Sequence, residues 1–184
     1  MRLMLGVAAT AIALPGAASA SSMVVGSGLA RMCFEAADGE RANSSTMGIC
    51  DRALTEEALS WDDQVATYVN RGILRARTSD FAGAMTDYDR ALKLDPSAAE
   101  AYLNKGALIL KTQRDWRKAR AMFDAALERR TRRPEFAYYG RAITHEIAGD
   151  VAGAYADYLK ASKLAPTWEE PKKELTRFSV RKPG

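Results

Sequence analysis

The chain repeats itself, and the repeat constrains the fold more than any other feature. Tyr68-Val69-Asn70-Arg71-Gly72 returns 34 residues later as Tyr102-Leu103-Asn104-Lys105-Gly106. A degenerate third copy, Tyr138-Tyr139-Gly140-Arg141-Ala142, follows at an offset of 36. A second signature trails each block with constant internal spacing. It reads Asp80-Phe81, Ala84, Tyr88, Ala91, then Asp115-Trp116, Ala119, Phe123, Ala126, then Asp150-Val151, Ala154, Tyr158, Ala161. Units of this size cannot bury an apolar face alone and must stack on one another.

The spacing has a helical cause. Tyr68, Arg71-Gly72 and Arg75 recur at i, i+3, i+4 and i+7, which is one stripe of a helix. Ala84, Tyr88 and Ala91 make a matching stripe on a second helix. Small residues at 72, 106 and 142, and alanines at 84, 119 and 154, let two helices approach closely. Aromatics at 88, 123 and 158 fill the space that small residues leave. Ser79-Asp80, Arg114-Asp115 and Gly149-Asp150 supply the turn and the next helix start. Pro96 and Pro166 end the second helix of their units, and Pro134 does so late in the middle one.

These residues resemble the tetratricopeptide-repeat pattern over about residues 64 to 166. The early tryptophan of the pattern is missing, with Tyr68, Tyr102 and Tyr138 as the nearest aromatics. The resemblance implies an all-α protein, a right-handed α-solenoid of three helical hairpins, at about 64–97, 98–133 and 134–166. It also implies a concave groove lined by the first helix of each unit. Carried onto this chain, the partner-binding groove comprises Val69, Asn70, Ile73 and Arg77, then Leu103, Asn104 and Lys111, then Tyr139 and Ile143. A carboxamide donates and accepts at once, so Asn70 and Asn104 suit an extended peptide backbone. The competing reading has them bonding within the helix array, and Tyr139 packing under the C-terminal segment. The family's chaperone-clamping subclass needs lysine, asparagine and arginine where this chain has Val69, Ile73, Phe136 and Gly140, so that clamp is absent.

The N-terminus reads as an address. Arg2 precedes an uncharged run from Leu3 to Leu14, Pro15-Gly16 breaks it, and Ala18-Ser19-Ala20 forms a cleavage site. Residues 1–20 are expected to be a secretory signal peptide, cut between Ala20 and Ser21. The run is too short for a spanning helix, which needs about 20 residues. The mature chain is therefore expected in an exported compartment, periplasmic or else secreted, with no transmembrane segment. There Cys33 and Cys50 form a pair with nothing left over, and they flank a polar stretch from Asp38 to Ser45. Two short helices, roughly Leu29 to Ala37 and Met47 to Leu54, stapled by a Cys33–Cys50 disulfide, fit this pattern. Free thiols or a redox pair are the alternatives. Residues 21–63 thus read as a stapled hairpin and a connector, Thr55 to Asp63. Residues 167–184 read as a capping helix reaching about Phe178 and a frayed tail.

Composition narrows function by exclusion. One histidine and two cysteines leave no set for a metal site, and no cofactor is expected. No G-x-S-x-G, H-E-x-x-H or phosphate-cradling glycine loop is present, so the chain reads as non-catalytic. Arg114 to Arg133 holds eight Lys or Arg against three acids. This stretch is either a solvated connector or a face for anionic membrane or cell-wall polymer. Its densest run, Arg129-Arg130-Thr131-Arg132-Arg133, lacks interleaved aromatics, so nucleic acid is not the expected partner. The sequence therefore points to an exported adaptor that binds a protein or peptide in its groove, or to a structural subunit of an envelope assembly. Its oligomeric state is not legible.

Overall fold

The computed structural model describes residues 2–5, 20–24, 28–39 and 42–181 of the 184-residue chain. Nine α-helices follow one another among the described residues. They are α1 (Leu29–Asp38), α2 (Ser44–Glu56), α3 (Trp61–Arg77), α4 (Phe81–Leu94), α5 (Ala99–Thr112), α6 (Trp116–Glu128), α7 (Pro134–Ile147), α8 (Val151–Leu164) and α9 (Glu169–Leu175). The hairpins α3–α4, α5–α6 and α7–α8 stack into an α-solenoid, each first helix lying beside the next.

The three hairpins turn by one device. Ser79, Arg114 and Gly149 each close the first helix in the left-handed region, at φ 66°, 53° and 77°. The following aspartate caps the second helix by accepting a backbone N–H three residues on. Asp80 takes that of Gly83 at 2.9 Å, Asp115 that of Lys118 at 3.1 Å, and Asp150 that of Gly153 at 2.9 Å. These caps hold Asp115 and Asp150 below the usual carboxylate range, the backbone hydrogen bond being the largest cause in each.

Close approach is paid for in side-chain volume. A Cβ on Gly72 would lie 2.5 Å from a ring carbon of Tyr88, which is itself buried. Ala84, Ala119 and Ala154 are fully buried, as are Ala91, Ala126 and Ala161. The Phe123 ring reaches further than its own hairpin. A Cβ on Gly106 would meet it at 3.0 Å, and one on Gly140 of the next hairpin at 2.4 Å. Phe123 is thus wedged between two units.

The hairpin α1–α2 leads the stack and carries the expected staple. Cys33 and Cys50 are bonded across 17 positions, with Cα atoms 5.0 Å apart. Both helices run slightly past the expected ends, and α2 starts early because Asn43 and Thr46 cap it reciprocally. The connector is shorter than expected, since α2 continues to Glu56 and Ser60 already caps α3 through the N–H of Asp63. Glu57 turns back to accept the N–H groups of Leu29 and Ala30, at 2.5 and 2.9 Å, which closes the N-terminus of α1.

An aspartate ion pair marks every junction between hairpins. Asp51 of α2 binds Arg71 at 2.8 Å, Asp89 of α4 binds Lys105, and Asp124 of α6 binds Arg141 at 2.8 Å. Each aspartate directly follows the residue in the aromatic slot: Cys50, Tyr88 or Phe123. The leading hairpin therefore docks in the register of the others, with a disulfide where they hold a ring.

The C-terminal end departs from expectation. Helix α9 is seven residues long and stops at Leu175, short of the expected Phe178. Beyond it the chain does not fray at once: β2 (Phe178–Arg181) pairs antiparallel with β1 (Arg2–Leu5), Arg2 opposite Arg181 and Leu5 opposite Phe178. Extended backbone here finds ladder partners that a single helix turn cannot supply. The all-α solenoid thus carries a small two-stranded ladder at one end. Residues 6–19, most of the expected leader, lie outside the described residues.

Candidate functional site

Helices α3, α5 and α7, the first helices of the three hairpins, lie side by side, and α3 and α5 set Asn70 and Asn104 against one segment of the chain. Both asparagines are buried, Asn70 fully and Asn104 to 4% exposure. Each carboxamide pairs with both backbone groups of one residue of an extended segment, Ala20 to Val24. Ala20 N–H donates to Asn104 Oδ1 at 3.2 Å, and Asn104 Nδ2 donates to the Ala20 carbonyl at 2.9 Å. Ser22 N–H donates to Asn70 Oδ1 at 2.8 Å, and Asn70 Nδ2 returns 2.8 Å to the Ser22 carbonyl. Asn104 Nδ2 also donates to the Glu100 carbonyl one turn back, at 2.8 Å, which fixes its rotamer.

This is the pattern of a hydrogen-bonded antiparallel pair, with a side-chain amide standing in for the second strand. Alternate residues of an extended chain lie about 6.6–6.8 Å apart and face the same way. Repeats stacked on one wall therefore read residues i and i+2. The segment runs from the second unit toward the first, against the order of the repeats. Ala20 is fully buried, in the same core cluster as Leu103 and Tyr139. Val24 is buried with Ala30, Ala53 and Ala66 of the neighbouring helices. Between them, the Ser21 hydroxyl donates to Asp38 at 2.7 Å, and Met23 points to solvent at 51% exposure. The backbone is gripped, and the inward side chain at residue 20 must be small.

The other groove residues take different places. Val69, Ile73, Leu103 and Ile143 are buried in the core clusters behind the wall. Arg77 donates to the Ala37 carbonyl of the leading hairpin at 2.6 Å. Lys111 lies 5.0 Å above the Phe81 ring. Tyr139 packs under the cap, 4.8 Å from the Trp168 ring and 5.3 Å from Tyr158. Burial, and the nearby Glu174, Glu170 and Glu146, push its phenol well above the usual range. Where Asn70 and Asn104 would have a third counterpart stands Gly140, and the Phe123 ring fills that space. The carboxamides therefore occupy two units and stop.

Sequence reasoning proposed the asparagines for the groove and named no segment against them. The segment in contact comes from the predicted cleavage junction itself, Ala20-Ser21.

Behind the wall, acid–base pairs hold the units. Arg71 forks onto Asp87 at 2.7 and 2.9 Å while also binding Asp51. Arg141 repeats this with Asp157, at 2.7 and 2.9 Å, and Asp124. These carboxylates push the Arg141 guanidinium up, its bonds to Asp157 contributing most. His145 joins Asp150 at 2.7 Å across the α7–α8 turn, so it ties a turn together. The basic stretch is partly engaged within the chain. Arg129 donates to the Pro96 carbonyl at 3.0 Å and covers Tyr102, and Arg133 binds Glu135 at 2.6 Å and covers Phe136. Among the described residues, no group of three or more His, Cys, Asp or Glu could hold a metal ion. No helix among them is long and apolar enough to cross a membrane.

Comparison with known proteins agrees with the repeat fold. A family model described as a TPR repeat matches residues 64–113. A second, described as a tetratricopeptide repeat, matches residues 105–167. Among curated proteins, no sequence matches the chain. Solved structures match at the level of fold. MamA from Desulfovibrio magneticus RS-1 is 19% identical with a TM-score of 0.62, over 80% of this chain and 81% of that one. PilF of Pseudomonas aeruginosa is 16% identical with a TM-score of 0.66, over 80% and 64%. PilW, described as a widely conserved type IV pilus biogenesis factor, is 18% identical with a TM-score of 0.63, over 80% and 65%. The chain thus spans somewhat under two thirds of either PilF or PilW.

Proposed function

Because the chain belongs to the tetratricopeptide-repeat family, its two repeat models together spanning residues 64–167, we propose that it is a non-catalytic adaptor binding an extended peptide segment of a protein partner. One observation carries this reading: Asn70 and Asn104 each pair with both backbone groups of alternate residues in an extended segment. Val69, Ile73, Leu103 and Ile143 shape the wall behind them, and Arg77, Lys111 and Tyr139 sit at its margins. The chemistry is recognition through main-chain hydrogen bonds, as when a peptide adds to a sheet edge.

The proposed setting is an exported compartment, periplasmic or secreted, reached by cleavage of residues 1–20 between Ala20 and Ser21. The leader pattern and the Cys33–Cys50 disulfide support it. The name of PilW makes an envelope assembly a reasonable home for the partner. In this proposal residues 21–63 serve as a leading hairpin and residues 167–184 as the cap.

The test is selection of peptides from a random displayed library against the protein. Selected peptides should lose at least tenfold in affinity on a folded Asn70→Ala/Asn104→Ala double variant. Peptides that bind both proteins equally would clear the groove of this role. Binding to anionic vesicles that vanishes when Arg129, Arg130, Arg132 and Arg133 are neutralised would instead assign function to the basic face.

A further inference from the structure

The groove is filled by the chain's own residues 20–24. We propose that this segment is a built-in strap that both defines the groove's ligand and competes with it. The ligand is an extended peptide with a small residue on Asn104, and the residue two positions on pairs with Asn70. The inference rests on the groove reading above and adds register, residue class and a resident competitor.

Three observations carry it. The four backbone hydrogen bonds to Asn70 and Asn104 involve no side chain of the segment, so any extended peptide can make them. Ala20 is fully buried, so a larger side chain would not fit in that register. The segment is short and tethered to α1, with Val24 buried against α1, α2 and α3 and its carbonyl accepting from Arg31 at 3.4 Å. A tethered occupant acts at an effective concentration of about millimolar, so a partner at micromolar concentration must displace it or wait for it to leave. Cleavage between Ala20 and Ser21 would remove the residue on Asn104 and leave the Ser22 pair on Asn70. Processing would thus halve the strap.

The probe is a labelled nonapeptide carrying residues 17–25 of this chain, offered in trans. Ser22→Pro removes the N–H that reaches Asn70 and should loosen the strap. The Ser22→Pro protein should bind the probe at least tenfold more tightly than the uncleaved wild type. Protein whose chain begins at Ser21 should fall between them. Adding Asn70→Ala/Asn104→Ala to Ser22→Pro should abolish the gain. So should N-methylating the probe at its Ser22 amide, or placing tryptophan at its Ala20 position.

Equal probe affinity for wild type and Ser22→Pro would overturn the strap, as would undiminished binding of the N-methylated probe. If Ser22→Pro fails to fold, amide exchange of the wild type decides. The Ala20 and Ser22 amides must exchange faster when probe saturates the groove, and unchanged rates would end the proposal. Should library peptides depend on Asn70 and Asn104 while the strap experiments fail, the groove stands and the self-competition alone is lost.

Discussion

The two halves of the groove share a rear and differ in front. Behind the N-terminal half, Arg71 grips Asp87 and Asp51; behind the C-terminal half, Arg141 grips Asp157 and Asp124. In front, the first two units present Asn70 and Asn104 to a peptide backbone. The third presents Gly140 to the Phe123 ring and Tyr139 to Trp168. One helical frame thus supports a binding wall at one end and an aromatic closure at the other. The difference lies in a few inward residues, so the frame is where stability is lost first when perturbed.

The largest expected effect tests that shared rear. Asp87 is fully buried, and its removal leaves the nearly buried Arg71 guanidinium with only the exposed Asp51. Asp87→Ala should cost about 3–5 kcal/mol, the range for a buried charge that loses its partner. Asp157→Ala should cost less, because Arg141 is 24% exposed against 8% for Arg71 and water can take over. Urea denaturation of both variants checks the order, and equal losses would break the comparison.

The leading hairpin gives the next effect. Cys33→Ala/Cys50→Ala reopens a loop of 17 positions and should cost about 3 kcal/mol. Reduction of the wild type should lower the urea midpoint as far as the double substitution does. The corresponding slots of the later units hold Tyr88, Phe123 and Tyr158, so only this junction should respond to a reductant.

Gly140→Asn tests why the carboxamides stop. It would complete a third rung by sequence, yet its Cβ would meet Phe123 at 2.4 Å. Overpacking of this kind costs about 1–3 kcal/mol. The variant should be destabilised by about 2 kcal/mol and gain no peptide affinity. Adding Phe123→Leu should recover stability by relieving the clash. A stable single variant that binds longer peptides would show that the aromatic closure is not what ends the ladder.

How far these features were legible follows from their physical range. The repeats, hairpin turns and close helix contacts were readable because each is set by spacing within about 34 positions of one chain. The stapled hairpin was readable because only one cysteine pair exists. The seating of Asn70 and Asn104 was readable as to face, through the resemblance. Their partner was not, because a bond across 84 positions, from Asn104 to Ala20, leaves no periodic trace. Nor does the wedge of Phe123 between units, which shows only as a glycine where asparagine was due. The short α9 was overread because Leu175 and Phe178 keep helical spacing while the backbone has already turned to pair with β1.

The smallest expected effect concerns the turns, where the two halves differ again. Gly149 closes the third hairpin at φ 77°, and Ser79 closes the first at φ 66°. A residue with a Cβ pays about 1–2 kcal/mol in this region, and glycine escapes that cost while losing more backbone freedom on folding. Ser79→Gly should therefore raise stability by roughly 0.5 kcal/mol, the difference between the two. Gly149→Ser should lower it by about the same amount. Reciprocal shifts in the urea midpoint would mean that the turns are interchangeable and that the halves differ only in their inward residues. A loss at Ser79→Gly would mean instead that Arg75, bound to Asp87 at 2.9 Å and donating to the Gly83 carbonyl at 3.4 Å, holds the first turn more firmly than His145, bound to Asp150 at 2.7 Å, holds the third.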